Sequence, residues 1–159
     1  MPISIPQEIQ PFWDSFRASA AVDPTPRFCE AFHFGDTEAL ADELAALVLA
    51  GTKRATATLL ASFEDEKRRP PAVGSLSVVT DWRGTPLCVI ETTGLAVVPF
   101  DEVTEAFAAR EGEGDKSLED WQKAHTAYFG RECRRIGVEP GARMLLVCEE
   151  FAVVFRAII

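Results

Sequence analysis

Gly51-Thr52-Lys53-Arg54-Ala55-Thr56 is where the chain changes character. Immediately upstream, Leu40, Leu44, Leu47 and Val48 make the apolar stripe of a helix expected over 37–50. Gly35-Asp36-Thr37 offers its turn and N-cap, and Glu38 in the first turn suits the helix dipole. Gly51 supplies a left-handed stop. The next residues place a lysine and two threonines on a turn directly behind the helix end. By spacing alone, Lys53 there caps free carbonyls and complements the dipole.

Upstream, Ile9, Phe12, Trp13 and Phe16 fall on one face of an amphipathic helix expected over 6–20. Pro24 and Pro26 end it, so residues 1–26 read as a helical extension packed on a domain spanning 27–159. Residues 27–34 alternate as a half-buried strand, with Phe28, Phe32 and Phe34 on one side. Downstream, the charged stretch Glu64 to Pro71 reads as a solvated helix end or loop. Leu76–Thr80 and Leu87–Thr92 read as a hairpin around Asp81-Trp82-Arg83-Gly84, with a further strand at 95–98. A short helix opens at Pro99-Phe100-Asp101. Glu111-Gly112-Glu113-Gly114-Asp115 is a turn, and Ser117-Leu118-Glu119-Asp120 resembles a capping box. Leu118, Trp121, His125, Tyr128 and Phe129 share a face of the helix that follows, which Gly137 closes. Two strands, at about 143–149 and 151–157, finish the chain. Five to seven strands with inserted helices and hairpin connections give an α+β class, a small β-barrel or strongly curved mixed sheet.

The chain has 159 residues, 47% hydrophobic and 26% charged, which is the composition of one globular domain. Sixteen Lys and Arg against 25 Asp and Glu give −9, the wrong balance for a protein coating long nucleic acid. A small anionic or nucleoside-sized ligand in a local pocket remains compatible. Cys29, Cys88, Cys133 and Cys148 form no Cys-x-x-Cys pair or zinc pattern. Free thiols, no signal peptide and no apolar run long enough to span a bilayer point to a cytoplasmic protein without membrane attachment.

Asp101 to Asp120 holds eight carboxylates and two cations. Solvation explains such a surface by itself. If the glycine-spaced loop folds tightly, Glu111, Glu113 and Asp115 converge as a general base or as oxygen ligands for a hard divalent cation. His33 and His125 read as hydrogen-bonded, partly buried histidines. No Gly-x-Ser-x-Gly, Walker loop or dinucleotide fingerprint is present.

Gly51-Thr52-Lys53-Arg54-Ala55-Thr56 resembles the ASCH domain family, whose fold is similar to the PUA RNA-binding domain. Phe34-Gly35-Asp36 supports the resemblance. So does Glu111-Gly112-Glu113-Gly114-Asp115-x-Ser117-Leu118-x-x-Trp121-x-x-x-His125 with Phe129, which looks like a bacterial subgroup signature. Val147-Cys148-Glu149-x-Phe151 is similar as well. The match spans roughly 27–156. The resemblance implies a barrel with a cleft for RNA or a modified nucleoside. One small ASCH type is an amidohydrolase that removes acetyl from N4-acetylcytidine, using a Gly-x-Lys-x-x-Thr motif and a later Glu. Its catalytic roles carry to Lys53, Thr56 and Glu111. Arg54, Trp82, Glu113, Trp121, His125 and Tyr128 are candidate substrate-binding residues. The chain departs from that type at Ala55 and Ala57, where larger residues stand, and in a longer insert after the motif. Another ASCH type looks like a metal-dependent ribonuclease that uses the same lysine.

These roles make different physical demands. Amide hydrolysis with Lys53 as nucleophile or base requires a neutral amine, hence burial or a cationic neighbour such as Arg54. Thr56 then orients Lys53 or donates to the oxyanion, and Glu111 protonates the leaving amine, its pKa raised by Glu113 and Asp115. In RNA binding or cleavage Lys53 stays charged on a phosphate. A basic groove would then come from residues 53–69, with five cations and three anions, and 123–143, with five cations and two anions. Trp82, Tyr128 and Phe129 are stacking candidates. The sequence therefore reads as a hydrolase acting on N4-acetylcytidine-type amides without a cofactor or bound metal. The alternatives are a ribonuclease that uses a divalent metal and a non-catalytic RNA-binding regulatory module. RNA or a modified nucleoside is the expected partner, and DNA is not.

Overall fold

The computed structural model describes residues 3–157. Its elements are helix α1 (Gln10–Ser19), strand β1 (Phe28–Phe32), α2 (Glu38–Leu49), β2 (Ala55–Leu59), α3 (Leu60–Glu66), β3 (Leu76–Thr80), β4 (Pro86–Pro99), α4 (Glu105–Glu111), α5 (Leu118–Ile136) and β5 (Leu145–Arg156). The strands form one open mixed sheet in the order β1-β3-β4-β5-β2. The β1–β3 pair is parallel, while β3–β4 and β2–β5 are antiparallel. A parallel pair requires a crossover, so β1 and β3 are joined by one, beside the β3–β4 hairpin that the sequence reading expected.

The chain divides into two compact units. The first holds the residues up to Gly51, Pro71–Thr93 and those from Phe151 onward. Here β3 is buried along its whole length, because helices cover both of its faces. Leu76 and Val78 meet Ile9, Trp13 and Phe16 from the α1 segment, together with Val89. Val79 on the opposite face meets Leu44 and Val48 of α2, with Phe34, Cys88, Ile90 and Phe151. A strand buried on two faces shows no polar-out alternation: Leu76, Val78 and Val79 are buried, and so are the polar Ser77 and Thr80. Trp13 is fully buried, packs edge-on against Phe16 and Phe28, and donates its indole N–H to Thr25 Oγ1 at 3.0 Å. Ile9, Trp13 and Phe16 thus belong to the core of this unit.

The second unit comprises Thr52–Pro70 and Gly94–Glu150. Its core is Leu59, Phe100, Val103, Ala108, Trp121, Phe129, Cys133, Leu146 and Cys148. Thr104 caps α4 by accepting from the Phe107 N–H at 3.1 Å. Ser117 caps α5 by accepting from Asp120 N–H at 3.1 Å. The expected capping box is only half formed, since the Ser117 N–H donates to Asp115 Oδ1 rather than to Asp120.

Three element boundaries differ from the sequence reading. Thr56 lies in strand β2, not on a turn. The proposed strand break at 93–94 is absent, and β4 runs unbroken. Gly94 marks a close approach there, since a Cβ on it would sit 2.9 Å from Glu150 Oε2. The two final strands are one, because the Glu149-Glu150 pair alternates faces instead of turning the chain. Among the described residues no helix is long and apolar enough to cross a membrane. All four cysteines are free, and burial pushes the Cys88 and Cys148 thiols up to about 11 and about 12, which leaves them poor nucleophiles.

Replacing Trp13 by Ala should cost about 3–5 kcal/mol of stability through the cavity it leaves. Urea unfolding checks this, with the midpoint falling while the slope stays constant.

Candidate functional site

Four ionisable side chains of the second unit meet where α4 ends. Glu111 is the last residue of α4, and Gly112 closes the helix in the left-handed region at φ +69°. A side chain at 112 would place its Cβ 2.3 Å from the Thr52 carbonyl oxygen and 3.1 Å from Lys53 Cα. Only glycine permits this approach. The contact is fastened by the Arg54 N–H, which donates to the Arg110 carbonyl at 2.8 Å. The Gly-x-Lys segment and the Glu-Gly-Glu segment, about 60 residues apart in the chain, are therefore pressed together backbone to backbone.

Lys53 is 1% exposed and Glu111 is 1% exposed. Lys53 Nζ donates to the Ala55 carbonyl at 2.8 Å and to Glu113 Oε2 at 2.7 Å, and lies 3.5 Å from Glu111 Oε2. These partners are all acceptors, so Nζ acts as a donor here. Strand β2 lies at one end of the strand order, and Lys53 ties itself to the peptide that immediately precedes Thr56.

His125 closes the cluster from α5. Its Nδ1 lies 2.9 Å from the Trp121 carbonyl oxygen, so Nδ1 carries a proton and donates. Nε2 then faces Glu111 Oε2 at 3.2 Å. The imidazole stacks on the Trp121 ring at 4.2 Å with planes 16° apart. Burial opposes the imidazolium, but the hydrogen bond and charge of Glu111, with the charge of Glu113, raise the His125 pKa. Glu111 Oε1 and Trp121 Nε1 are buried without a hydrogen-bond partner.

The two carboxyls are driven apart. Burial pushes Glu111 up, but the Lys53 charge and the His125 hydrogen bond outweigh it and hold the group at about 2. Burial also pushes Glu113 up, and the hydrogen bond and charge of Glu111 add to that against the pull of Lys53. Glu113 ends at about 7. The expectation that Glu111 carries the raised pKa is thus reversed, because Lys53 and His125 both reach Glu111. Asp115 does not join the cluster. It is exposed, and its hydrogen bonds with Ser117 lower its pKa.

Other candidates fall at different places. Tyr128 is half-buried against Phe129, with the Arg131 guanidinium over its ring at 5.6 Å. Arg54 is exposed, and its backbone, not its side chain, makes the contact described above. Trp82 belongs to the first unit, 39% exposed and 4.8 Å from the His33 ring. Part of the expected basic groove is neutralised. Arg68 pairs with Glu66, Arg135 with Glu66 and Glu132, and Arg143 with Asp101 and Glu102.

One ligand atom each from Glu111, Glu113 and His125 lies within 4.8 Å of the others. Two carboxylates and an imidazole are a donor set for a divalent cation, and the His125 Nδ1 bond to a carbonyl is the usual support for a ligating Nε2. Such an ion would take carboxylate oxygen now held by Lys53.

Gly112→Ala should destabilise the protein far more than Gly137→Ala. Both positions have positive φ, but a Cβ at 137 meets nothing within 4 Å. The Gly137 change should cost about 1 kcal/mol, and thermal unfolding of the two variants side by side reads the difference.

Comparison with known proteins agrees with this geometry. A family model of the ASCH domain matches residues 30–155. The structure is similar to an ASCH domain from Lactobacillus crispatus JV V101, with 39% identity, 96% of this chain and 98% of that one covered, and a TM-score of 0.87. A protein from Enterococcus faecalis V583 is similar over 94% of this chain and 90% of its own, at 28% identity and a TM-score of 0.82. No curated protein matches. The family model over residues 30–155 and the 39% identity to a solved ASCH domain over nearly the whole of both chains, with the shared PUA-like fold, show that this chain belongs to the ASCH domain family.

Proposed function

We propose that the protein hydrolyses the exocyclic amide of an N4-acylated cytidine. The observation that carries this reading is the buried Lys53–Glu111–Glu113 cluster, in which one carboxyl is held ionised and its neighbour titrates near neutrality. Two carboxyls with separated pKa values divide acid and base work between them. In the reaction, water adds to the amide carbon while Lys53 Nζ and the Thr56 hydroxyl donate to the developing oxyanion. The proton held by Glu113 passes to N4 as the C–N bond breaks. The carboxyl pair recovers a proton from the attacking water, so the products are cytidine and the carboxylic acid. His125 acts as a positioning residue that orients Glu111. The net charge of −9 favours a nucleoside over a polymer. Free cysteines fit a reducing cytoplasm.

A second reading, a divalent-metal ribonuclease, draws support from the convergence of Glu111, Glu113 and His125. Those residues would hold the ion, which would supply Lewis-acid activation of a phosphoryl oxygen. The reading as a pure RNA-binding module predicts affinity without turnover.

Incubation with N4-acetylcytidine, followed by chromatography, should yield cytidine. Lys53→Ala should lower the rate by about 100-fold or more, the scale of losing one oxyanion donor. A chelator should leave the rate unchanged. Loss of activity with chelator, or RNA cleavage in place of amide hydrolysis, would favour the metal reading.

The pH profile follows from Glu113. Its pKa of about 7 means the proton needed for the leaving nitrogen is present below that pH and lost above it. Amide hydrolysis should fall about tenfold per pH unit well above neutrality. Glu113→Gln should remove that limb along with most of the activity.

A further inference from the structure

We propose that a transition-metal cation of the Zn²⁺ type regulates this site: Glu111, Glu113 and His125 bind it in place of hydrogen bonds they make in the metal-free protein, and amide hydrolysis stops while it is bound. The inference rests on the amide-hydrolase reading and names an inhibitor of that same site. Unlike in the ribonuclease reading, the ion here supplies no chemistry.

Glu111 ends α4, Glu113 lies in the loop after it, and His125 is on α5. One ligand atom from each lies within 4.8 Å of the other two. His125 Nε2 and Glu111 Oε2 are 3.2 Å apart. Bonds of about 2.0–2.2 Å put neighbouring ligands of a four-coordinate zinc about 3.3–3.6 Å apart, so this pair is already close to one edge of the coordination shell. The Trp121 carbonyl, 2.9 Å from Nδ1, holds the Nδ1 proton and leaves Nε2 to the ion. Glu113 is the adjustable donor. It stands between Gly112 and Gly114, and its side chain is 23% exposed, so an ion enters from its side.

A separate observation points to a ligand. Glu111 is buried, and its Oε1 has no hydrogen-bond partner. A buried carboxylate oxygen left without a donor is costly. Each carboxylate has two oxygens, so the ion can take one from each glutamate while Lys53 keeps an acceptor. An imidazole nitrogen beside two carboxylates suits zinc, whereas Mg²⁺ demands near-octahedral oxygen ligands and keeps its water. The Lys53 ammonium, 2.7 Å from Glu113 Oε2, repels any cation and keeps the binding reversible. Glu113 cannot hold an ion and hand a proton to N4 through the same oxygen, so hydrolysis stops.

The test titrates chelator-stripped protein with ZnCl₂ and with MgCl₂ by calorimetry, and follows N4-acetylcytidine turnover over the same concentrations. Zinc should bind at least about 100-fold more tightly than magnesium and abolish turnover with the same midpoint. Added chelator should restore the rate. His125→Gln should weaken zinc by about 100-fold or more, the upper end of what losing only a ligand's support costs. Zinc binding that is absent, or that survives His125→Gln unchanged, overturns the proposal. So does loaded protein that turns over as fast as stripped protein. In each case turnover by the stripped wild type leaves the hydrolase reading standing. Stripped wild type without turnover overturns the hydrolase reading and the inhibition with it. If His125→Gln fails to fold by circular dichroism, Glu113→Gln decides. It should weaken zinc by about tenfold or more, and unchanged binding would overturn the proposal.

Discussion

Everything distinctive about this chain depends on keeping the Lys53 ammonium buried between Glu111 and Glu113. Desolvating a charge costs several kcal/mol, and only close partners with good geometry offset it. The fold supplies them from three directions: the end of α4, the loop after it, and α5 through His125. None of these partners can be removed without leaving a buried charge or an empty acceptor behind. A surface lysine placed after a helix would need none of this machinery. The dipole-capping role that spacing alone suggests for Lys53 is therefore too small an account of it.

The cluster also explains why the backbone is so tightly constrained nearby. Lys53 reaches Glu111 only because Gly112 allows the α4 terminus to lie against Thr52 and Lys53 themselves. The hydrogen bond from Arg54 N–H to Arg110 holds that approach. The approach in turn starts β2 in the register that opposes Thr56 to Glu149. Helix termination, strand register and side-chain electrostatics are one problem here, with a single glycine at its centre.

Much of this was legible in the residues. The stripe of α2, its Thr37 cap, the Ser117 cap and the Trp121/His125 face are local patterns, and local patterns survive tertiary packing. The Gly-x-Lys motif and the Glu-Gly-Glu loop were both visible as well. Their contact was not, because nothing local brings together segments so distant in the chain. The same limit explains β2: Ala-Thr-Ala-Thr has the period of a strand, but its pairing with β5 lies far downstream. It also explains β4 and β5, where Gly94 and the Glu149-Glu150 pair look like breaks until the neighbouring strand is present. The reversal of the Glu111 and Glu113 titrations has the same origin. Acidic neighbours in the chain suggest that Glu111 is raised; in the structure burial raises it, and Lys53 and His125, both distant in the chain, pull it down harder.

That reversal bears on what the site can do. Had Glu111 held the labile proton, the acid would sit fully buried, behind its own ion pair. In the proposed reaction Glu113 is the acid, and the proton is then on the partly exposed member of the pair, 23% accessible against 1% for Glu111. The ionised member stays inside, fixed by His125 and Lys53, and keeps its neighbour protonated near neutrality. Lys53 then serves two carboxyls at once while binding the Ala55 carbonyl at the start of β2. An arrangement with the fixed charge inside and the mobile proton outside suits delivery of that proton to an approaching ligand. A purely structural ion pair has no need for a second carboxyl on its exposed side.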